Sequence, residues 1–128
     1  IKELLETERR FMIKTYYLEY GSNYSKEEIR SFLDTRWDIV CTENDSSYFG
    51  VYFRYRGMHA DELKITDNYL HSNEWLNEEH KQYETIINMA FIEGRNADKL
   101  SRYKFMKNVM NQLNVAEIIH DEQIEREG

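Results

Sequence analysis

Histidines and carboxylates are the side chains of this sequence that could hold a metal ion. The chain has four histidines and 24 aspartates and glutamates. Glu117 and His120 have the Glu-x-x-His spacing of di-iron bundles, but such a site needs a second motif of this kind and two further glutamates on helices. His71 and His80 are nine positions apart, which does not place them on one helical face. We therefore predict no bound metal or cofactor, and a metal-dependent enzyme is kept as an alternative.

Nucleophilic catalysis has little support in the sequence. There is no Gly-x-Ser-x-Gly elbow, and the five glycines form no phosphate-binding or dinucleotide pattern. Cys41 is the single cysteine, which excludes an internal disulfide and suits a reducing cytosol. We interpret Cys41 as a small buried apolar residue. The sequence thus predicts a protein that is not an enzyme.

The densest aromatic run of the chain is Y-F-G-V-Y-F-R-Y-R at 48–56, and it alternates with period two. Such a segment is typical of a strand, and the core face would carry Phe49, Val51, Phe53 and Tyr55. The other face would carry Tyr48, Gly50, Tyr52, Arg54 and Arg56. Tyrosine and arginine are enriched among the residues that dominate binding energy. We therefore predict that Tyr48, Tyr52, Arg54 and Arg56 anchor a partner protein.

Charge is distributed unevenly along the second half of the chain. The total is -7: residues 1–57 carry a net charge of -1, the block at 58–93 carries -6, the block at 94–114 carries +4 and the tail at 115–128 carries -4. On a helix Glu74, Glu78 and Lys81 would share a stripe, and closely spaced carboxylates can imitate a phosphate backbone. The acidic residues predicted to steer a basic partner are Asp61, Glu62, Asp67, Glu74, Glu78 and Glu79.

Binding of single-stranded nucleic acid is the alternative use of the same strand. The Tyr and Arg side chains could stack bases and hold phosphates, and a predicted basic helix would extend the site with Arg95, Lys99, Arg102, Lys104 and Lys107. The net charge of -7 opposes this alternative, because affinity for the backbone comes largely from neutralised phosphates.

The first half of the chain is predicted to form two helices and a hairpin. Apolar residues spaced by three, four and seven predict an amphipathic helix from Ile1 to Tyr20. Ser25 and Glu28 form a capping box that opens a helix over 26–36. A strand over 37–42, turn residues at 44–47 and the aromatic strand predict an antiparallel hairpin.

The second half is predicted to be mainly helical. Residues 60–70 fit either a third strand or a short helix, and the periodicity of 73–93 and 97–114 predicts an antiparallel pair of helices around Gly94. Residues 115–119 continue the helix or form an edge strand, and the last eight residues are expected to fray. The fold prediction is α+β, a small antiparallel sheet of two or three strands with about four helices packed against it, in one domain spanning 1–128.

Composition bounds the class of protein. A hydrophobic fraction of 41% argues against disorder, and no apolar run approaches the roughly 20 residues of a membrane span. No basic and then apolar leader opens the sequence, which predicts a cytoplasmic protein. A small acidic protein rich in Asn, Lys, Tyr and Ile resembles proteins of bacteriophages and mobile elements. That resemblance implies a non-enzymatic inhibitor of a nucleic-acid-processing enzyme of a host or defence system.

Overall fold

The computed structural model of the chain describes residues 12–36, 41–56 and 59–128. In chain order the elements are β1 (Met12–Ser22), α1 (Lys26–Arg36), β2 (Cys41–Ser46), β3 (Gly50–Tyr55), β4 (Glu62–Asp67), a single 3₁₀ turn (Glu78–His80), β5 (Thr85–Phe91), α2 (Asn96–Leu113) and β6 (Glu117–Glu127).

All six strands belong to one antiparallel sheet with the order β2-β3-β4-β5-β1-β6. The helices α1 and α2 pack on one face of it, where Ile29, Leu33, Met106 and Met110 join the apolar side chains of the central strands in the core. The prediction of two or three strands with about four helices is wrong, because the described residues form six strands and two α-helices. The molecule is dominated by its sheet.

The predicted first helix is wrong over its described part, since residues 12–20 belong to β1. Tyr16, Leu18 and Tyr20 are at most 3% exposed and alternate toward the helices, so the effective period is two. The stripe that suggested a helix drew on residues 1–11, which lie outside the described residues. Pairing with β5 on one side and β6 on the other fixes this strand inside the sheet.

The predicted helix at 73–93 and its antiparallel partner packing are also wrong, since residues 85–91 form β5. Thr85, Ile86 and Ile87 are each 0% exposed, so this strand is covered on both faces at its start. A run that is apolar on both faces reads equally well as a buried helix, which is why periodicity misplaced it. Its β-branched residues favour the strand.

On the face of the sheet opposite α1 and α2, the segment 68–84 covers the end of β1 and the start of β5. The ring of Tyr83 lies directly on Gly21 of β1, where a Cβ would come within 2.3 Å of a ring carbon. The amide of Asn68 donates to the carbonyl oxygens of His80 and Tyr83 and accepts from the backbone of Asn77, which holds the segment in place. Neither α-helix of the described residues lies on that sheet face.

Elements with strong local signals are confirmed. The amide of Glu28 donates to Ser25 Oγ at 3.1 Å and Glu28 Oε1 accepts from the amide of Ser25 at 3.3 Å, so the capping box opens α1. The helix at 97–114 corresponds to α2, and residues 62–67 take the strand alternative. The hairpin of β2 and β3 also forms, with its turn at 47–49 because residues 44–46 extend β2. Residues 37–40 of the predicted strand lie outside the described part.

The end of the chain differs from the expected frayed tail. Residues 117–127 form β6, which pairs with β1 from Gly21 and Glu117 to Met12 and Glu127. The sequence of this strand is polar, so it has no hydrophobic alternation from which a strand could be predicted. Its pairing partner β1 is about a hundred positions away, so a pattern taken over neighbouring residues does not reveal the pairing.

Candidate protein-binding surface

The open face of the sheet, defined as the face opposite α1 and α2, carries part of the predicted site. Residues paired across antiparallel strands share a face. The register places Arg54, Lys64, Asn88, Glu19 and His120 in one row across five neighbouring strands on this open face. No helix of the described residues covers that row. Arg54 is the member of this row that was predicted to bind a partner, and it lies on a face without a helix among the described residues.

An aromatic cluster of Tyr48, Phe49 and Tyr52 stands at the tip of the β2–β3 hairpin. The ring centroids of Tyr48 and Phe49 are 5.0 Å apart, and those of Phe49 and Tyr52 are 5.2 Å apart. The ammonium of Lys64 lies 5.4 Å from the Phe49 ring. Tyr48 is 49% exposed, which is high for so large a side chain. The cluster is thus held together internally while one of its rings faces solvent.

The prediction that Phe49 and Val51 point into the core is wrong. Phe49 is half-buried against Tyr52 and Lys64, and Val51 is 39% exposed. The turn at 47–49 interrupts the strand before Phe49, and this breaks the alternation on which the prediction depended. Phe53 and Tyr55, which lie inside β3, are buried as predicted. The turn residues Ser46 and Ser47 were the signal that could have revealed the displacement of Phe49.

Arg54 is already paired within the molecule. Its guanidinium lies 3.2 Å from Glu62 Oε2, and the ammonium of Lys64 lies 2.8 Å from Glu62 Oε1. Burial works to raise the pKa of the Glu62 carboxyl, but the hydrogen bonds and charges of Lys64 and Arg54 outweigh it and lower that pKa. The pairing holds Arg54 in a fixed orientation on the open face. Arg56 is exposed just beyond the end of β3.

A hollow adjoins the aromatic cluster. It has a volume of about 660 Å³ and lies between the hairpin tip and the end of β4, with Phe49, Gly50, His71, Asp45 and Asp67 in its wall. Gly50 has a φ of +70°, a conformation that favours glycine, and a Cβ there would lie 3.1 Å from the ring of His71, so a larger residue would require that side chain to shift. The hollow is large enough to admit a long side chain.

The predicted acidic residues are spread over different settings. Asp61 accepts the amides of Ile92 at 2.6 Å and Glu93 at 2.8 Å and contacts Arg102, so its contacts are structural. Asp67 lies 2.7 Å from the ammonium of Lys26 at the start of α1. The predicted helical stripe is wrong, because no α-helix forms there. Of the predicted carboxylates, Glu74, Glu78 and Glu79 remain exposed on the segment 68–84.

The predicted basic helix does not present a continuous cationic surface. Lys99 is 2% exposed. Arg102 contacts Asp61 at 3.2 Å and Asp98 at 3.1 Å, and the ammonium of Lys107 lies 2.5 Å from Asp121. Exposed positions remain for Arg95 and Lys104. Three of the five basic residues of this set are therefore buried or paired with carboxylates.

The described residues contain no group of three or more His, Cys, Asp or Glu side chains that could hold a metal ion. Glu117 accepts a hydrogen bond from the hydroxyl of Tyr83, and His120 lies 2.7 Å from Glu122. Cys41 is half-buried, and burial is the main cause that raises the pKa of its thiol. These contacts give Glu117, His120 and Cys41 ordinary structural surroundings.

A second concave region lies on the helix side, between α2 and β6. It has a volume of about 610 Å³ and is lined by Tyr20, Met110 and Ile118 together with lysines and asparagines of α2. The hydroxyl of Tyr20 is buried there without a hydrogen-bond partner, and burial raises the pKa of this phenol to about 12. The hydroxyl therefore stays protonated throughout the neutral range.

Comparison of the chain with protein-family models, with curated proteins and with solved structures finds no match. Among the described residues, neither helix has the length and apolar character needed to cross a bilayer. Function must therefore be argued from the surface itself.

Proposed function

We propose that this chain is a non-enzymatic protein-binding module, and that the aromatic cluster and the adjoining hollow are its principal contact surface. The observation that carries the proposal is the arrangement of Tyr48, Phe49 and Tyr52, three contacting rings at a hairpin tip with Tyr48 49% exposed. Contacting aromatic side chains beside a concave region are typical of the centre of an interface.

The charge of the surroundings supports a basic partner. Asp45 lies in the wall of the hollow, where Asp67 is already paired with Lys26, and the chain as a whole has a net charge of -7. A lysine or arginine of the partner could enter the hollow and meet Asp45, while the protein's overall field speeds the encounter. A nucleic-acid-processing enzyme of a host or defence system has a basic surface of this kind. We place the interaction in the cytoplasm, in keeping with the single cysteine.

Binding of single-stranded nucleic acid is less well supported. Tyr52 and Phe49 could stack on bases, but the cations that would hold the phosphates are engaged: Arg54 with Glu62, Arg102 with Asp61 and Lys107 with Asp121. Releasing any of them for a phosphate would leave a carboxylate unpaired beside the nucleic acid.

Capture from cells tests the proposal when it is combined with matched variants. The wild-type chain, Tyr48→Ala and Phe105→Ala would each be immobilised, and the retained proteins identified and their affinities measured. Phe105 is a suitable control because it is 43% exposed but lies on α2, away from the open face. We expect Tyr48→Ala to lower the affinity for the partner by about tenfold or more, and Phe105→Ala to change that affinity by less than about twofold.

Two outcomes would contradict the proposal. Equal loss in both variants would show that the partner does not distinguish the aromatic cluster from other exposed rings. Retarded migration of a labelled single strand at physiological salt, abolished by Tyr52→Ala, would favour nucleic-acid binding. Salt provides a further check, because association with a basic protein should slow markedly as ionic strength rises.

A further inference from the structure

β6 is an edge strand of the described sheet, at the end opposite β2. This strand is the last of the sheet and is 11 residues long. Among residues 12–36, 41–56 and 59–128, β1 is its one strand neighbour, and every residue from 120 to 128 is exposed. The outer edge of such a strand presents a row of backbone N–H and C=O groups, and these groups can pair with another extended chain.

Two different rows of side chains flank this edge. The register with β1 places one row on the side of the helices, made of Asp121, Gln123, Glu125 and Glu127. The other row lies on the open face and is made of His120, Glu122, Ile124 and Arg126. The helix-side row has three carboxylates, one amide and no cation, whereas the open-face row carries Ile124 with 41% of its surface exposed.

Charge decides which extended chain fits. A second copy of β6 in antiparallel orientation would set the acidic helix-side row against itself, and like charges directly opposite one another are unfavourable. Asp121 forms an ion pair with Lys107. Glu125 is 3.8 Å from the ammonium of Lys14, and both side chains of this pair are more than 40% exposed. Glu125 and Glu127 therefore remain open to a new cation.

We infer that the free edge of β6 takes an extended segment of a partner protein that carries Lys or Arg at every second position. Backbone pairing would add a seventh strand to the sheet. The basic side chains of that strand would lie beside Glu125 and Glu127, and its alternate residues would contact Ile124 on the open face. The acidic row protects the edge against other copies of this chain and selects for a basic one.

The test uses three acetylated and amidated nine-residue peptides. The first alternates Lys and Val, the second alternates Glu and Val, and the third is the Lys–Val peptide with all its backbone amides N-methylated. Titration calorimetry at low salt would give the affinities, and hydrogen exchange would follow the amides of residues 117–127. We expect the first peptide to bind and to slow hydrogen exchange in β6. The other two peptides should bind at least about tenfold more weakly.

Variants of the protein locate the peptide. Glu125→Lys combined with Glu127→Lys should weaken binding of the Lys–Val peptide about tenfold and strengthen binding of the Glu–Val peptide. Both side chains are exposed, and the contacts of Glu125 with Lys14 and Gln123 lie at the surface. Tyr48→Ala should bind the Lys–Val peptide as the wild type does, so this inference and the proposed function can fail separately. Circular dichroism would establish that both variants fold.

Three results would overturn the inference. The first is no binding of the Lys–Val peptide up to about 1 mM. The second is equal binding of the N-methylated peptide, which would reduce the effect to charge alone. The third is unchanged affinity in the double variant or reduced affinity in Tyr48→Ala, either of which would place the peptide elsewhere on the molecule.

Discussion

Asp61 is predicted to be a residue of stability rather than of binding, and Asp61→Ala tests this directly. Its carboxylate accepts two backbone amides, at 2.6 and 2.8 Å, and an ion pair from Arg102, whose side chain is 16% exposed. Each hydrogen bond to a charged group contributes about 1.5–3 kcal/mol, and these contributions are not additive. Arg102 keeps Asp98 and two carbonyl oxygens as partners. We therefore expect a loss of about 3 kcal/mol, a large part of the typical stability of a small domain.

Urea denaturation followed by circular dichroism measures this loss, and Asp98→Ala is the matched control. Both carboxylates contact Arg102, but the side chain of Asp98 is 62% exposed and its pair is a helical i,i+4 pair. Removing Asp98 should cost less than about 0.5 kcal/mol, whereas Asp61→Ala should lower the urea midpoint by roughly 1–2 M. Equal effects of the two substitutions, or normal stability of Asp61→Ala with weakened partner binding, would refute the reasoning and restore Asp61 as a steering residue.

Three further substitutions probe single contacts. Gly21→Ala should destabilise the fold by about 1–3 kcal/mol in thermal melts, because the new Cβ would lie within 2.3 Å of the Tyr83 ring. Tyr20→Phe removes a buried hydroxyl that has no partner, so stability in urea should stay within about 1 kcal/mol of the wild type or rise. Burial works to raise the pKa of Asp121, but Lys107 outweighs it and lowers that pKa below its ordinary value. The pairing therefore stabilises the fold above the pKa that Asp121 has in the unfolded chain, and this stabilisation is lost as the pH falls through the lower pKa of the folded state. In urea titrations, Asp121→Asn should reduce the loss of stability below about pH 4.

Local interactions made part of the fold predictable. The capping box of Ser25 and Glu28 satisfies amides within one turn of the chain, so its sequence signature suffices to place the start of α1. The β2–β3 hairpin likewise depends on neighbours along the chain. In both cases the stabilising partner lies within about a dozen residues, which is the range over which pattern and propensity are informative.

Distant pairing explains most of the errors. Residues 85–91 form a central strand between β4 and β1 whose start is buried on both faces. Periodicity alone cannot separate such a strand from a buried helix. The polar strand β6 owes its existence to pairing with β1. In the candidate site, the aromatic run identified Tyr48 and Tyr52, but the pairing of Arg54 with Glu62 depends on the register of β3 with β4, which the sequence does not display.

The order of the strands has a consequence for the way the chain acquires its shape. β1 lies between β5 and β6, so its backbone groups find their partners some 65 to 115 positions later in the chain. A nascent chain that has just produced β1 must keep this apolar segment out of wrong associations until β5 and β6 have been synthesised. Such long closures slow folding relative to a helical bundle of equal size, and they leave apolar surface exposed to aggregation until they form.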